Sequence, residues 1–446
     1  MHLHILPNGL RVWFQPNPSS KSVVALVVLR SGLRYEDRSN NGLAHFVEHM
    51  VFSGTARWSA EDLREQITRR GGRINAWTGL ERTTFFTHVT AGDLALALQW
   101  LVQVVFHPTF PVERLGPERQ IIFQEMRGNR GWLLRRARQL SFGGELSRKV
   151  RQALFPSPSF GMRVLGEEAS LKRIDRDALI DYHRHYYVPA NAVLVVVGGI
   201  ALEELLREVE GNFGELARED GPALPTCPPL PHTGPQRVVV RAPMFADRIR
   251  VRMGARTVGR THPDRWPLEV LAHLFRRSVK QELRFRRGLV YGLRCYNVFY
   301  DDAGFFTIAT TSDRCHQERI LEVMENHLER FRKGEIEPKR VHQAQAFIKG
   351  RWALAMESNA KQAMWLARWA SALPVNETPP DSLSSLDTVS PQDLSRVVHL
   401  YFTPQRRYLG LHLPVVTAVG AARTTASLAG AGLVLWSVRR LLSQKS

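Results

Sequence analysis

The stretch ALIDYHRHYYVPANAVLVVVG, residues 178–198, is echoed 215 residues later by DLSRVVHLYFTPQRRYLGLHL, residues 393–413. Leu179, Tyr186, Tyr187 and Pro189 fall in register with Leu394, Tyr401, Phe402 and Pro404. In both places a helix, an aromatic pair and a proline lead into an apolar run of strand length. Four matches at one offset point to a duplicated domain of about 200 residues.

Working outward, the first copy opens with a Pro-Asn-Gly turn between two strands, followed by SVVALVVL (Ser22–Leu29), a continuous apolar run. NGLAHFVEHMVF (Asn41–Phe52) has helical spacing, and Ser59 begins a further helix ended by Gly71 and Gly72. Arg73–Val89 reads as two strands, Thr90 as the cap of an apolar helix, and Gly116-Pro117 as the opening of the next, with proline in its first turn. Residues 211–236, dense in Pro and Gly, read as a linker. The expected organisation is a first domain over 1–210, a linker over 211–236, a second domain over 237–413 and a tail over 414–446. Antiparallel strands interleaved with helices, without βαβ alternation, predict an α+β class.

His45, Glu48 and His49 form H-x-x-E-H inside the predicted 41–52 helix. Positions i and i+4 share a face, so both imidazoles can hold one zinc ion, with Glu48 close enough to take a proton from water there. From the motif alone, two partly buried histidines beside a surface glutamate remain the alternative. The helix PERQIIFQEMRGN offers Glu118 and Glu125, seven residues apart and on one face. Carboxylates among apolar residues are costly unless a cation receives them, although two solvated glutamates would also satisfy the pattern.

These blocks resemble the pitrilysin/insulinase-type metallopeptidases, whose inverted zinc motif is followed by a downstream glutamate. LPNGLRVWFQPNP, SGLRYEDRSNNGLAHFVEHMVFSGT, GGRINAWTGLERTTFFTHV, PERQIIFQEM and YYVPANAVLVVVG are similar to successive family blocks, and the resemblance covers about residues 5–413. It implies one zinc ion per chain on His45, His49 and Glu125, with Glu48 as general base and Glu118 supporting catalysis. Asn75 and Ala76 match the edge strand that receives substrate, by main-chain addition of an extended peptide. QELRFRRGLVYGL is similar to the block that brings an arginine and a tyrosine to the active site, here Arg284 and Tyr291. A departure is LAHLFRRSVKQ, which stands where the family has a glycine-rich loop. The implied fold is two duplicated domains, each an antiparallel sheet with helices packed on one side. The implied activity is hydrolysis of peptides or small unfolded proteins by a chain paired with a copy of itself or a related chain. The rival reading is a non-catalytic structural subunit, whose usual mark, loss of a motif residue, is missing here.

Composition agrees with a folded chain: 446 residues, 44% hydrophobic and 23% charged, exclude a disordered tail or a disulfide miniprotein. Lys and Arg number 61 against 42 Asp and Glu, a net charge of +19 that favours anionic partners without choosing among them. The three cysteines, Cys227, Cys295 and Cys315, argue against a disulfide framework and a thiolate zinc site and for a reducing compartment. The first residues lack the pattern of a signal peptide, so a cytoplasmic location is expected. Val415–Val438 carries one charge, Arg423, and reads as a single-pass anchor, an interfacial helix or an extension, with membrane contact expected through residues 415–440. Arg127–Arg151 holds eight basic residues and one acidic. No phosphate loop or aromatic-basic alternation accompanies it, so it reads as a solvated helix and no nucleic-acid partner is expected. Trp365 and Trp369, at helical spacing, are expected in the core.

Overall fold

The computed structural model describes residues 1–127, 144–230, 234–245 and 248–416. In the first half, strands β1 (His2–Ile5), β2 (Arg11–Pro16), β3 (Ser22–Leu29), β4 (Arg73–Thr78), β5 (Thr83–Thr90) and β6 (Ala192–Gly198) form a sheet of order β1-β2-β6-β3-β5-β4. In the second half, β7 (Gln236–Phe245), β8 (Arg248–Val258), β9 (Leu293–Phe299), β10 (Ala303–Asp313) and β11 (Arg407–Val416) give β7-β11-β8-β10-β9. With β1 set aside, the two orders are the same, so the duplication read from the echoed segments extends to the topology. Both sheets are mixed rather than purely antiparallel: β2 runs parallel to β6, and β7 parallel to β11. The echoed segment returns by a helix to the strand beside its own first strand, and that crossover makes the pair parallel.

The helices that position the site are α1 (Leu43–Met50), α2 (Ala60–Thr68), α3 (Leu94–Phe106), α4 (Val112–Arg127), α5 (Gly144–Leu154), α6 (Arg176–Tyr186), α7 (Arg265–Lys280) and α8 (Asn359–Ala370). Ser59 closes a capping box with Asp62 at the start of α2, as its sequence predicts. Thr90 instead donates its hydroxyl to Asp93 and makes no backbone cap. Pro117 does not open α4 but lies within it. The helix starts earlier, after Pro111, and gives up one backbone bond at Pro117.

The unbroken apolar run of β3 has a simple cause. Val23, Ala25, Val27 and Leu29 face the helices of their own half, while Val24, Leu26 and Val28 pack against α8 from the second half. A strand covered on both faces needs no polar alternation. The exchange is reciprocal: Leu146, Val150 and Leu154 of α5 pack on Val240 and Tyr408 of the second sheet. The two lent helices end at Leu154 and Ala370, within one residue of the same 215-residue offset. Trp369 is buried in this junction with Trp365 beside it. Each large apolar side chain so buried is worth ~1.5–3 kcal/mol, which makes the junction a principal tie between the halves.

Polar contacts reinforce it. Arg11, buried in β2, donates to the carbonyls of Ala370 and Leu373 at 3.0 and 3.1 Å, satisfying the C-terminal end of α8. Arg34 meets Glu81 at 2.9 Å and Asp302 of the second half at 2.7 Å, and Arg82 meets Asp301 at 3.0 Å. No helix among the described residues is long and apolar enough to cross a membrane. The anchor reading falls on a tail of which residues 417–446 lie outside the described residues, as do 128–143 of the basic stretch.

Candidate metal centre

Helix α1 packs its Leu43, Ala44, Phe46, Val47 and Met50 into the first-half core. Its remaining face, with His45, Glu48 and His49, is thereby turned to α4 and β4. The start of the helix is unusual. Gly42 sits at the N-cap with φ 98°, where a Cβ would stand 2.8 Å from the Cα of Gly166. With no cap of its own, the helix takes one from Glu36. That carboxylate accepts from the N–H of Gly42 and of Ala44, each at 2.8 Å, and from the Asn41 amide at 3.0 Å. Burial pushes the Glu36 carboxyl up to about 7, against the pull of these three donors.

The Nε2 atoms of His45 and His49 lie 3.7 and 3.6 Å from one oxygen, Oε2 of Glu125. One ligand atom from each of the three residues falls within 4.8 Å of the others. Burial first, and the neighbouring His49 second, push His45 down to about 3, so its ring is neutral. Behind His49, Nδ1 lies 3.4 Å from Oε2 of Glu118, whose other oxygen accepts from Arg114 at 3.1 Å. Burial alone would raise Glu118, but the hydrogen bond and charge of His49, with Arg114, hold it below its ordinary value. The same contact, with Glu125 and Glu48, outweighs burial and raises His49.

Glu48 is buried, which raises its carboxyl above the ordinary value, and its Oε2 accepts from the hydroxyl of Thr78 at 2.6 Å. Thr78 ends β4, the edge of the first sheet, so the strand carrying Asn75 and Ala76 runs up to this carboxylate. Asn75 folds its side-chain oxygen back onto the N–H of Ala76 at 3.0 Å.

Two imidazoles and a carboxylate aimed at one point, with a further carboxylate behind one imidazole, fit a zinc site that keeps a position open. Three carboxylates beside two imidazoles also form a charge set that a divalent cation balances.

Arg284 and Tyr291 line a cavity whose described walls include none of the residues of this cluster. The guanidinium stands 5.1 Å from the tyrosine ring, which is 86% exposed. The cavity measures about 880 Å³, and its described walls come only from residues 248–313. Reading the sequence missed Glu36 and Thr78. Neither had a signal in the sequence: Asn40 and Asn41 are themselves good capping residues, and only the fold puts Gly42 at the N-cap.

Comparison with known proteins agrees with this geometry. The model of the insulinase family, peptidase family M16, matches residues 11–130, which include every residue of the cluster. The model of the M16 inactive domain matches residues 173–347. The chain is 26% identical over 400 residues to an uncharacterized zinc protease of Bacillus subtilis, covering 89% of this chain and 94% of that one. It is 27% identical over 346 residues to the mouse mitochondrial-processing peptidase subunit beta, covering 73% and 67%. In fold it superposes on a protease from Helicobacter pylori with a TM-score of 0.80, at 21% identity over 92% of this chain and 98% of that one. Ordered matches over both halves, the duplicated topology and the clustered motif lead to one conclusion: the chain belongs to the M16 family of insulinase- and pitrilysin-type proteases.

Proposed function

We propose that this protein is a zinc-dependent endopeptidase that hydrolyses peptides or small unfolded proteins. The observation that carries the reading is the convergence of His45 and His49 on one oxygen of Glu125 beside a buried Glu48. His45, His49 and Glu125 would hold the ion, which would supply Lewis-acid polarisation of the scissile carbonyl and activation of water. Glu48 takes a proton at its carboxylate and returns it to the leaving amine, a role that suits a carboxyl raised by burial. Glu118 holds His49 in orientation from behind. Substrate adds as a strand to β4, exchanging the Asn75 bond to the N–H of Ala76 for a main-chain bond.

Arg284 and Tyr291 share their cavity with no described residue of the first half. A second chain, a copy or a relative, is therefore proposed to bring this pair over the zinc-binding residues, where a guanidinium and a phenol stabilise a developing oxyanion. The relative named as a subunit of a processing peptidase supports such pairing.

The test is cleavage of a mixed quenched-fluorescent peptide library by the purified chain, with and without chelator, beside Glu48→Gln. Turnover that needs both metal and Glu48 is expected. Stoichiometric zinc without turnover, alone or with a related chain added, would favour the non-catalytic subunit.

A further inference from the structure

The cavity beside Arg284 and Tyr291 has a charge pattern that the peptidase reading does not use. On β8, Arg248, Arg250 and Arg252 occupy alternate positions and so share one face, while Ile249, Val251 and Met253 are buried on the other. Ala309 of β10 is the register partner of both Arg252 and Arg294, which puts Arg294 on the same face one strand further on. Lys280 and Arg284 enter from the end of α7 and the helical turn that follows it. These six cations surround about 880 Å³, and the one carboxylate among the described lining residues is Asp313, opposite Arg248 in the ladder.

The general basic character of the chain does not account for this. Overall, cations outnumber carboxylates by 61 to 42, whereas here they stand at six to one. No described carboxylate pairs with Arg252, Lys280, Arg284 or Arg294. Like charges in one concavity repel and weaken the fold, and the walls focus their field outward into the space they enclose. Such an arrangement is suited to an anion, and the cavity has the size of a ligand pocket. Its apolar lining, Leu289, Val290 and Leu293, gives a flexible chain something to lie on. The first-half site is opposite in sign, with Glu48, Glu118 and Glu125 together.

We propose that this cavity receives an acidic segment of the polypeptide substrate. The inference rests on the peptidase reading, because Arg284 and Tyr291 belong to the same cavity and whatever reaches them is substrate. A polypeptide is favoured over a free polyanion for a second reason: β9, which carries Arg294, is the edge of its sheet, so a peptide main chain can pair alongside it. Substrates would then be selected by Asp and Glu residues at a distance from the scissile bond.

The experiment is fluorescence anisotropy on the full-length Glu48→Gln chain, which binds without turning over. One labelled peptide carries a run of Asp and Glu, and its partner carries Asn and Gln at the same places. The acidic peptide should bind about tenfold more tightly at low salt, with the advantage shrinking as salt rises. Adding Arg248→Ser, Arg252→Ser and Arg294→Ser should bring the ratio close to one. Removing as many charges at the exposed Arg38, Arg207 and Arg218 should leave it unchanged. Equal binding of the two peptides by the unaltered cavity overturns the proposal, whatever the triple variant does. So does loss of the ratio in the distant-charge control, or tighter binding of an RNA oligomer of equal charge. Wild-type turnover of the neutral peptide is followed separately. If it persists while the acidic preference is absent, this inference fails and the peptidase reading stands.

Discussion

The hydroxyl of Thr78 donates to Oε2 of Glu48 at 2.6 Å, joining the last residue of the edge strand β4 to the buried carboxylate on α1. The strand proposed to hold substrate and the residue proposed to move its proton are thus mechanically one unit. Thr78→Val should lower kcat about tenfold, the usual scale for losing one hydrogen bond to a charged group, with little change in bound zinc. Thr78→Ser should restore most of it. Steady-state kinetics beside metal analysis checks both, and wild-type kcat in the valine variant would count against the link.

Glu118 holds His49 through Nδ1 and is itself held by Arg114. Carboxylates in this position typically contribute 10–100-fold to metal affinity, roughly the loss expected for Glu118→Ala. Competition against a chromogenic zinc chelator measures it. Arg114→Ala should give a smaller loss in the same direction, because only the outer contact goes.

Glu36 closes the start of α1 with three accepted hydrogen bonds. Glu36→Ala leaves those donors buried and unpaired and should cost about 2–3 kcal/mol in urea unfolding. An unchanged midpoint would show that water replaces the carboxylate without cost.

Between the halves, Arg34 is buried with Glu81 and reaches Asp302 of the second half. Removing one partner of a buried pair strands the other charge, so Arg34→Ala should cost about 3–5 kcal/mol. Because the lost contact ties the halves, differential scanning calorimetry of the variant should show the two halves unfolding at temperatures further apart than in the unaltered chain.

His183 of α6 is buried, with Nε2 2.8 Å from the carbonyl of Val105 on α3. Burial pushes it down to about 4 from its ordinary 6.5. In the unfolded chain it takes a proton below its ordinary value, while in the fold it stays neutral until about 4. Its contribution is therefore complete above pH 6.5 and falls by about 3 kcal/mol as the pH drops toward 4, where it levels off. His183→Gln, which keeps a donor for Val105, should remove that part of the acid dependence. Parallel pH series of chemical denaturation decide the matter.

Much of this was legible along the chain because it repeats or is local. The echo of Leu179, Tyr186, Tyr187 and Pro189 in the second half announced a duplicated unit. Helical spacing alone set His45 and His49, four apart, on one face of their helix and Glu118 and Glu125, seven apart, on one face of theirs. The Ser59 cap of α2 was equally local. The parallel pairs β2–β6 and β7–β11 were not, since strand direction depends on where a distant segment returns. The covering of β3 by α8, the gift of a cap from Glu36 and the hold of Thr78 on Glu48 also join residues that neither periodicity nor spacing relates. Sequence by itself determined which side chains α1 offers to a cation, because a helix repeats its face every turn. Tertiary structure alone decided what stands behind each of them and which described residues share a cavity with Arg284 and Tyr291, because those relations follow from packing.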